Sequence, residues 1–126
     1  MRKVVATEKA PGAIGPYSQG NIVGDFLFAS GQLGIDPATG ELVKGIEAQT
    51  EQALKNVKAI VEAAGATMDK VIKTTCFLDD MNDFAAMNAV YAKFFTEGSY
   101  PSRSAVEVGK LPKGGLVEVE VIAYLG

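Results

Sequence analysis

The chain has 126 residues, a net charge of −3 and an apolar content of 48%, a composition typical of one modest globular domain. The acidic balance provides no global attraction for nucleic acid or an anionic membrane surface. Histidine is absent and Cys76 is the one cysteine, which excludes Ser-His-Asp catalysis, His-ligated metal sites and an internal disulfide. No apolar run approaches the roughly 18 residues that span a bilayer, and the first residues lack the apolar core of a secretory signal. We therefore expect a single cytoplasmic domain over residues 1–126.

The first third of the chain predicts a short strand, a loop and a hairpin. Valines at 4–5 favour the strand, and residues 10–16 are too rich in proline and glycine for regular structure. Residues 21–23 and 26–33 flank a Gly-Asp turn, which predicts a β-hairpin. Ser30-Gly31 interrupts the second of these strands, and a glycine inside a strand often marks a bulge or a close backbone approach.

The rest of the chain predicts two helices and three strands. In chain order these are a helix over 46–64, a strand over 71–78, a helix from 84, a strand over 102–108 and a last strand over 117–125. This order predicts an α+β fold in which two helices pack on one face of a mixed β-sheet. By alternation, the other face of the last strand carries Glu118, Glu120, Ile122 and Tyr124. Because that face is half apolar, we expect another subunit to cover it.

Arg103 lies inside the predicted strand 102–108 and needs an anionic partner if it is buried, because an unpaired buried charge costs several kcal/mol. One interpretation is a structural ion pair with Glu118 on a neighbouring strand. The other is a ligand carboxylate that Arg103 clamps bidentately, with Glu118 as a general base or as the residue that orients a water. The spacing of these residues leaves both interpretations open.

Four further residues each have a structural and a functional interpretation. Tyr17 either packs over a strand end with its hydroxyl bonded to backbone, or faces a substrate. Gly31 is either a bulge or a point that a small ligand approaches because no Cβ intervenes. Asn88 is either a satisfied structural amide or part of a site. Cys76 lies mid-strand, and we expect an inert core residue rather than a reactive thiol.

Five segments occur in order along the chain: Ala13–Gln19, Phe28–Gln32, Pro101–Val108, Leu111-Pro112 and Val117–Glu120. With these segments the sequence resembles the reactive intermediate deaminase A (RidA) family of small enamine/imine deaminases. The likeness covers essentially the whole chain. Its specific signature is the Pro-Ser-Arg-Ser segment followed by Leu-Pro and Val-Glu-Val.

The resemblance implies a chorismate-mutase-like fold and a homotrimer with ligand sites in clefts between subunits. It also implies hydrolysis of 2-imino acids, such as 2-iminobutanoate and 2-iminopropanoate, to 2-oxo acids and ammonia. These imines arise from enamines released by pyridoxal-phosphate-dependent dehydratases. By the same resemblance, Arg103 binds the substrate carboxylate and Glu118 positions or activates the hydrolytic water. The residues expected to line the cleft are Tyr17, Ser30, Gly31 and Asn88.

The implied reaction needs no cofactor and no metal, because a protonated imine is already electrophilic and positioning supplies much of the catalysis. The alternative is a regulator that binds 2-oxo acids without useful turnover. Nucleic acid is not an expected partner, because the chain is acidic and lacks a basic face. The chain departs from many relatives at Ala105, where they carry cysteine, so the resemblance carries over no thiol-linked role.

Overall fold

Seven strands form one mixed sheet in the computed structural model, which describes residues 1–126. The strands are β1 (Arg2–Val5), β2 (Gly20–Val23), β3 (Phe26–Ala29), β4 (Gln32–Leu33), β5 (Val71–Leu78), β6 (Ser102–Glu107) and β7 (Val117–Tyr124). Their order across the sheet is β1-β2-β3-β7-β5-β6, and β4 also pairs with β7. Only β5 and β6 run parallel, and the chain between them forms a helix, as parallel neighbours require a crossover connection.

Two helices, α1 (Ile46–Ala63) and α2 (Phe84–Tyr91), pack on one face of the sheet. The α1 helix ends at a glycine whose positive φ suits the left-handed position after a helix. Gly65 N–H donates to Glu62 at 2.9 Å and Ala66 N–H donates to Val61 at 3.1 Å, which satisfies carbonyls that the helix end would otherwise leave free. Neither helix is long and apolar enough to cross a membrane.

The two faces of the sheet differ in burial, and this difference positions the site. Along β7, Val117 and Val119 are fully buried under the helices, while the alternate residues face the opposite side, which we call the open face. Large apolar side chains are exposed on the open face. They include Phe26, Phe28 and Tyr124. The predicted α+β class and the two-helix layer are confirmed.

Two predicted elements differ in detail from the observed ones. The strand predicted over 26–33 is divided at Ser30-Gly31 into β3 and β4, which pair with different parts of β7. The α2 helix is short because it continues as a 3-10 turn over Ala92–Phe94. Cys76 is fully buried, and burial raises the pKa of its thiol to about 11, against a smaller opposing effect of Arg103. The prediction that Cys76 is a core residue is confirmed.

Candidate functional site

The Arg103 side chain lies in a cradle formed by three residues of α2. Its Nη1 donates to Asn88 Oδ1 at 2.7 Å. Its guanidinium carbon lies 4.7 Å from the ring centroid of Tyr91 and 5.3 Å from that of Phe84. A guanidinium over aromatic faces gains cation–π attraction while keeping its charge. Phe84, Asn88 and Tyr91 are spaced i, i+4 and i+7, so one face of the helix presents all three.

The Arg103 guanidinium has no carboxylate partner within the chain. The one ion pair of the structure joins Lys55 and Glu51 on α1, and the bond to Asn88 is the single side-chain hydrogen bond of Arg103. Its Nε and Nη2 make no bond to a carboxylate of the chain, and these two donors form the edge that grips a carboxylate side-on. Arg103 lines a cavity of about 400 Å³ together with Tyr100 and Pro101, which we call the arginine cavity.

The buried tyrosine of the cradle is itself held in place. Tyr91 is 4% exposed, and its hydroxyl shares a buried hydrogen bond of 2.7 Å with Thr74 Oγ1 on β5. This bond ties the ring that supports Arg103 to the centre of the sheet. The ring of Tyr91, which contacts the guanidinium, is therefore anchored to the sheet by this hydrogen bond.

Glu118 lines a second, larger cavity of about 510 Å³ at the open face. We call this the glutamate cavity; its fourteen lining residues include Tyr17, Ser30, Gly31, Ile35, Lys113 and Glu118. Burial raises the pKa of the Glu118 carboxyl above its ordinary value, and the nearby Glu120 carboxylate raises it further. A carboxyl group in this environment is suited to exchange protons closer to neutrality than an exposed glutamate.

Gly31 packs against the Glu118 carboxyl group. A Cβ at position 31 would lie 2.8 Å from Glu118 Cδ, so any side chain there would displace the carboxyl. The position that a side chain at residue 31 would take is thus occupied by Glu118, while Gly31 itself still lines the cavity. The bulge interpretation of this position agrees with the pairing, because four residue steps from Phe28 to Gln32 oppose three steps from Ile122 to Val119 on β7.

One buried amide fixes the loop that forms the cavity wall. The side-chain Nε2 of Gln19, which is 4% exposed, donates to the carbonyls of Thr7 and Pro11 at 3.1 and 2.8 Å. Its Oε1 accepts from Thr7 N–H at 2.7 Å. Ser30 joins the same network, because its Oγ donates to the Ser18 carbonyl at 2.6 Å. Sequence reasoning missed Gln19, although it stands in the motif that includes Tyr17.

Tyr17 projects from this loop with 51% of its surface exposed. Its hydroxyl makes no hydrogen bond within the chain, so the prediction of a tyrosine bonded to backbone over a strand end is wrong. Tyr17 lines the glutamate cavity, and its hydroxyl remains available. A fixed backbone with an unpaired phenol is suited to contact a ligand or a second chain.

Arg103 and Glu118 do not meet within one chain. The β5 strand lies between β6 and β7, with Thr74 paired to Arg103 and Phe77 paired to Glu118. The strand spacing and rise place the two Cα atoms roughly 14 Å apart. Arg103 points toward α2, whereas Glu118 lies on the open face. The predicted ion pair between neighbouring strands is therefore wrong.

The predicted site residues divide into two groups. Four of them line the glutamate cavity: Tyr17, Ser30, Gly31 and Glu118. The other two, Asn88 and Arg103, line the arginine cavity. Asn88 is a satisfied amide that also lines the arginine cavity, because the group that bonds to its oxygen is Arg103.

Some site features carried no clear signal in the sequence. Lys113, on the rim of the glutamate cavity, is the one non-glycine residue with a positive φ, at 58°. Phe84 and Tyr91 were not among the predicted site residues, although their helical spacing with Asn88 could have located the cradle. No cluster of three or more acidic or cysteine side chains in the structure could hold a metal ion.

The fold and its two cavities define a small α+β protein with a free guanidinium in one cavity and a partly buried carboxyl in the other. The profile of the family described as Endoribonuclease L-PSP matches residues 7–125. A RutC family protein of Pyrococcus horikoshii is 59% identical over 125 residues, which cover 98% of both chains. The 2-iminobutanoate/2-iminopropanoate deaminase of Escherichia coli is 52% identical over 125 residues, again 98% of both.

A solved structure gives the same result for the fold. The crystal structure of Escherichia coli TdcF with bound serine matches with a TM-score of 0.94 and 46% identity, covering 98% of this chain and 99% of that one. The chain belongs to the Endoribonuclease L-PSP family, which includes the RutC family proteins and the RidA deaminases. The resemblance inferred from the sequence motifs is confirmed.

Proposed function

We propose that the protein hydrolyses reactive 2-imino acids, such as 2-iminobutanoate and 2-iminopropanoate, to 2-oxo acids and ammonia in the cytoplasm without a cofactor. The proposal rests above all on the uncompensated charge of Arg103. Its guanidinium is held by an amide oxygen and two rings, and no carboxylate of the chain neutralises it. A small carboxylate ligand would supply the missing anion through the Nε/Nη2 edge.

The proposed site is shared between two copies of the chain. Within one copy the arginine and glutamate cavities lie on different faces of the sheet, so a small substrate cannot reach both. A second copy packed against the first, as in a homotrimer, would place the arginine cavity of one against the glutamate cavity of the next. The exposed Phe26, Phe28 and Tyr124 of the open face favour such an assembly.

The proposed reaction consumes one water, and Glu118 carries one proton from that water to the substrate nitrogen. Arg103 holds the carboxylate of a protonated imine, and a water oxygen bonds to the imine carbon while its proton passes to the Glu118 carboxylate. The resulting carbinolamine takes that proton on nitrogen, the C–N bond breaks, and ammonia leaves. The hydroxyl proton is released as the 2-oxo acid forms. A general base with a raised pKa suits both proton transfers, and positioning of the two reactants supplies most of the remaining acceleration.

Three relatives favour this substrate class. The Escherichia coli and Salmonella typhimurium proteins at 52% identity are named 2-iminobutanoate/2-iminopropanoate deaminases. The TdcF structure holds serine, a small amino acid that carries both a carboxylate and a nitrogen on the adjacent carbon. A small 2-imino acid presents the same two groups to the proposed pair, Arg103 and Glu118.

The first test measures ammonia release from imine made by a threonine dehydratase, with and without the protein. We expect the protein to accelerate hydrolysis over the spontaneous rate. Arg103→Ala should lower kcat/KM on the order of a hundredfold, because the bound carboxylate of the substrate loses its partner. Arg103→Lys should not restore the rate, because an ammonium cannot reproduce the side-on grip. Ligand-induced thermal stabilisation by 2-oxo acids with no acceleration would instead identify a 2-oxo acid-binding regulator.

The shared site is tested by mixing two inactive variants. Arg103→Ala and Glu118→Gln chains, unfolded and refolded together in equal amounts, should regain roughly a quarter of the native sites, since random assembly joins an intact arginine to an intact glutamate at that frequency. Each variant refolded alone is the control. Activity that stays at the level of the separate variants would place the whole reaction within one chain.

A further inference from the structure

Ser30 has one hydroxyl proton, and the structure shows where that proton goes. Its Oγ donates to the Ser18 carbonyl at 2.6 Å, a short hydrogen bond between parts of the cavity wall. The Ser30 backbone N–H is also committed, to the Gln19 carbonyl at 2.9 Å. Because a hydroxyl carries one donor and two lone pairs, Ser30 Oγ has only acceptor capacity left to offer a ligand.

Ser30 Oγ and the Glu118 carboxyl group are two acceptors that line the same cavity. Ser30 lines the glutamate cavity next to Gly31, which contacts the Glu118 carboxyl directly. Ionised Glu118 is an acceptor only, and Ser30 Oγ is restricted to the same role. A ligand group placed between them is bound favourably if it carries N–H bonds. It is bound unfavourably if it presents lone pairs alone.

We infer that Ser30 is a specificity residue that accepts a hydrogen bond from the substrate nitrogen and so favours C=N–H over C=O. The inference rests on the proposed function, because it assigns this role within the proposed deaminase site. A protonated imine carries two N–H donors, whereas the carbonyl of the 2-oxo acid product carries none. The two acceptors, Ser30 Oγ and the Glu118 carboxylate, therefore favour binding of the substrate and release of the product.

The test compares substrate turnover with product inhibition in a Ser30→Ala variant. We expect kcat/KM for the imine to fall between about tenfold and a hundredfold, the range for one hydrogen bond to a charged group. The inhibition constant of the corresponding 2-oxo acid should change less than twofold, because the carbonyl gains nothing from Ser30. If both constants worsen equally, Ser30 is only structural, and if neither changes, Ser30 does not contact the substrate; either result overturns the inference.

Two further variants keep the test decisive. Ser30→Thr retains the hydroxyl and serves if Ser30→Ala proves unstable. It should keep most of the preference for imine, measured by kcat/KM, over 2-oxo acid, measured by the inhibition constant. Equal losses for both compounds would overturn the inference. Ser99→Ala is the matched control, since Ser99 Oγ also donates to a backbone carbonyl, at 3.4 Å from Thr96, but lines neither cavity. If imine hydrolysis depends on Arg103 but Ser30→Ala keeps the preference for imine over 2-oxo acid, this inference is overturned and the proposed function stands.

Discussion

Gly31 and Glu118 are in direct contact, and this contact fixes the position of the carboxyl group. A Cβ at Gly31 would stand 2.8 Å from Glu118 Cδ and 3.0 Å from its Oε2, closer than carbon and oxygen atoms normally approach. The absence of a side chain at position 31 thus positions the proposed base. The backbone of Gly31 does not require positive φ, so packing alone explains the glycine.

Gly31→Ala should therefore act on catalysis through Glu118. The added methyl group pushes the carboxyl away from the wall, and a displacement of about 1 Å lowers the rate on the order of a hundredfold. We expect kcat to fall while KM for the imine changes little, because Arg103 still holds the carboxylate. Steady-state kinetics with the dehydratase-coupled assay measure both constants.

The matched control for this variant is Gly109→Ala. Gly109 also lacks positive φ, and a Cβ there would meet nothing within 4 Å. Its kcat should equal that of the unmodified protein. A normal kcat in Gly31→Ala would mean that the Glu118 carboxyl can move without loss and is not the base.

Asn88→Asp tests whether the free charge of Arg103 is what binds substrate. The new carboxylate would replace an amide oxygen that lies 2.7 Å from Arg103 Nη1 and would form an ion pair with it. Because the guanidinium is then already neutralised, KM for the imine and the inhibition constant of the 2-oxo acid should both rise at least tenfold.

The exposed Asn82 provides the control for the added charge. Its backbone N–H, not its side chain, bonds to Asp80, so Asn82→Asp adds the same negative charge away from Arg103. Binding in that variant should be unchanged. Unchanged affinity in Asn88→Asp, measured by calorimetry with the 2-oxo acid, would show that Arg103 does not hold the ligand.

The elements of this fold follow closely from local patterns in the sequence. Alternation from Val117 to Ala123 identified the buried face of β7, and the apolar stripe of residues 46–64 identified α1. Such patterns depend on neighbours two to four residues apart, which the sequence displays directly. The α2 helix was less clear, because its last turn tightens into a 3-10 turn.

The arrangement of the site could be predicted only in part. The order of strands depends on pairing between distant segments, so periodicity does not reveal that β5 separates Arg103 from Glu118. The contact between Gly31 and Glu118 is likewise a tertiary contact. The motifs identified the right residues, but their division between two cavities depends on which face of the sheet each side chain occupies.

The hydroxyl pair Thr74 and Tyr91 gives a prediction on stability. Tyr91→Phe keeps the ring under Arg103 but leaves the buried Thr74 hydroxyl without its 2.7 Å partner. We expect the free energy of unfolding to fall by about 1–3 kcal/mol while affinity for the 2-oxo acid stays within twofold. The double variant Tyr91→Phe/Thr74→Val removes both polar groups and should recover most of the loss. Urea unfolding of Tyr91→Phe, Thr74→Val and the double variant measures the cycle, and additive losses would show that the two hydroxyls do not interact.

The raised pKa of Glu118 predicts the acid limb of the pH profile. Protonated Glu118 cannot accept a proton from water, so kcat/KM should fall as the pH falls through the pKa of this group, which lies above the ordinary glutamate value of about 4.3. Burial is the larger cause and the Glu120 carboxylate the smaller one. Removing that negative charge in Glu120→Gln should lower the pKa and shift the acid limb toward lower pH. The exposed Glu62 on α1 supplies the control, Glu62→Gln, for which the limb should not move. An acid limb that shifts equally in both variants, or in neither, would assign the titration to a group other than Glu118.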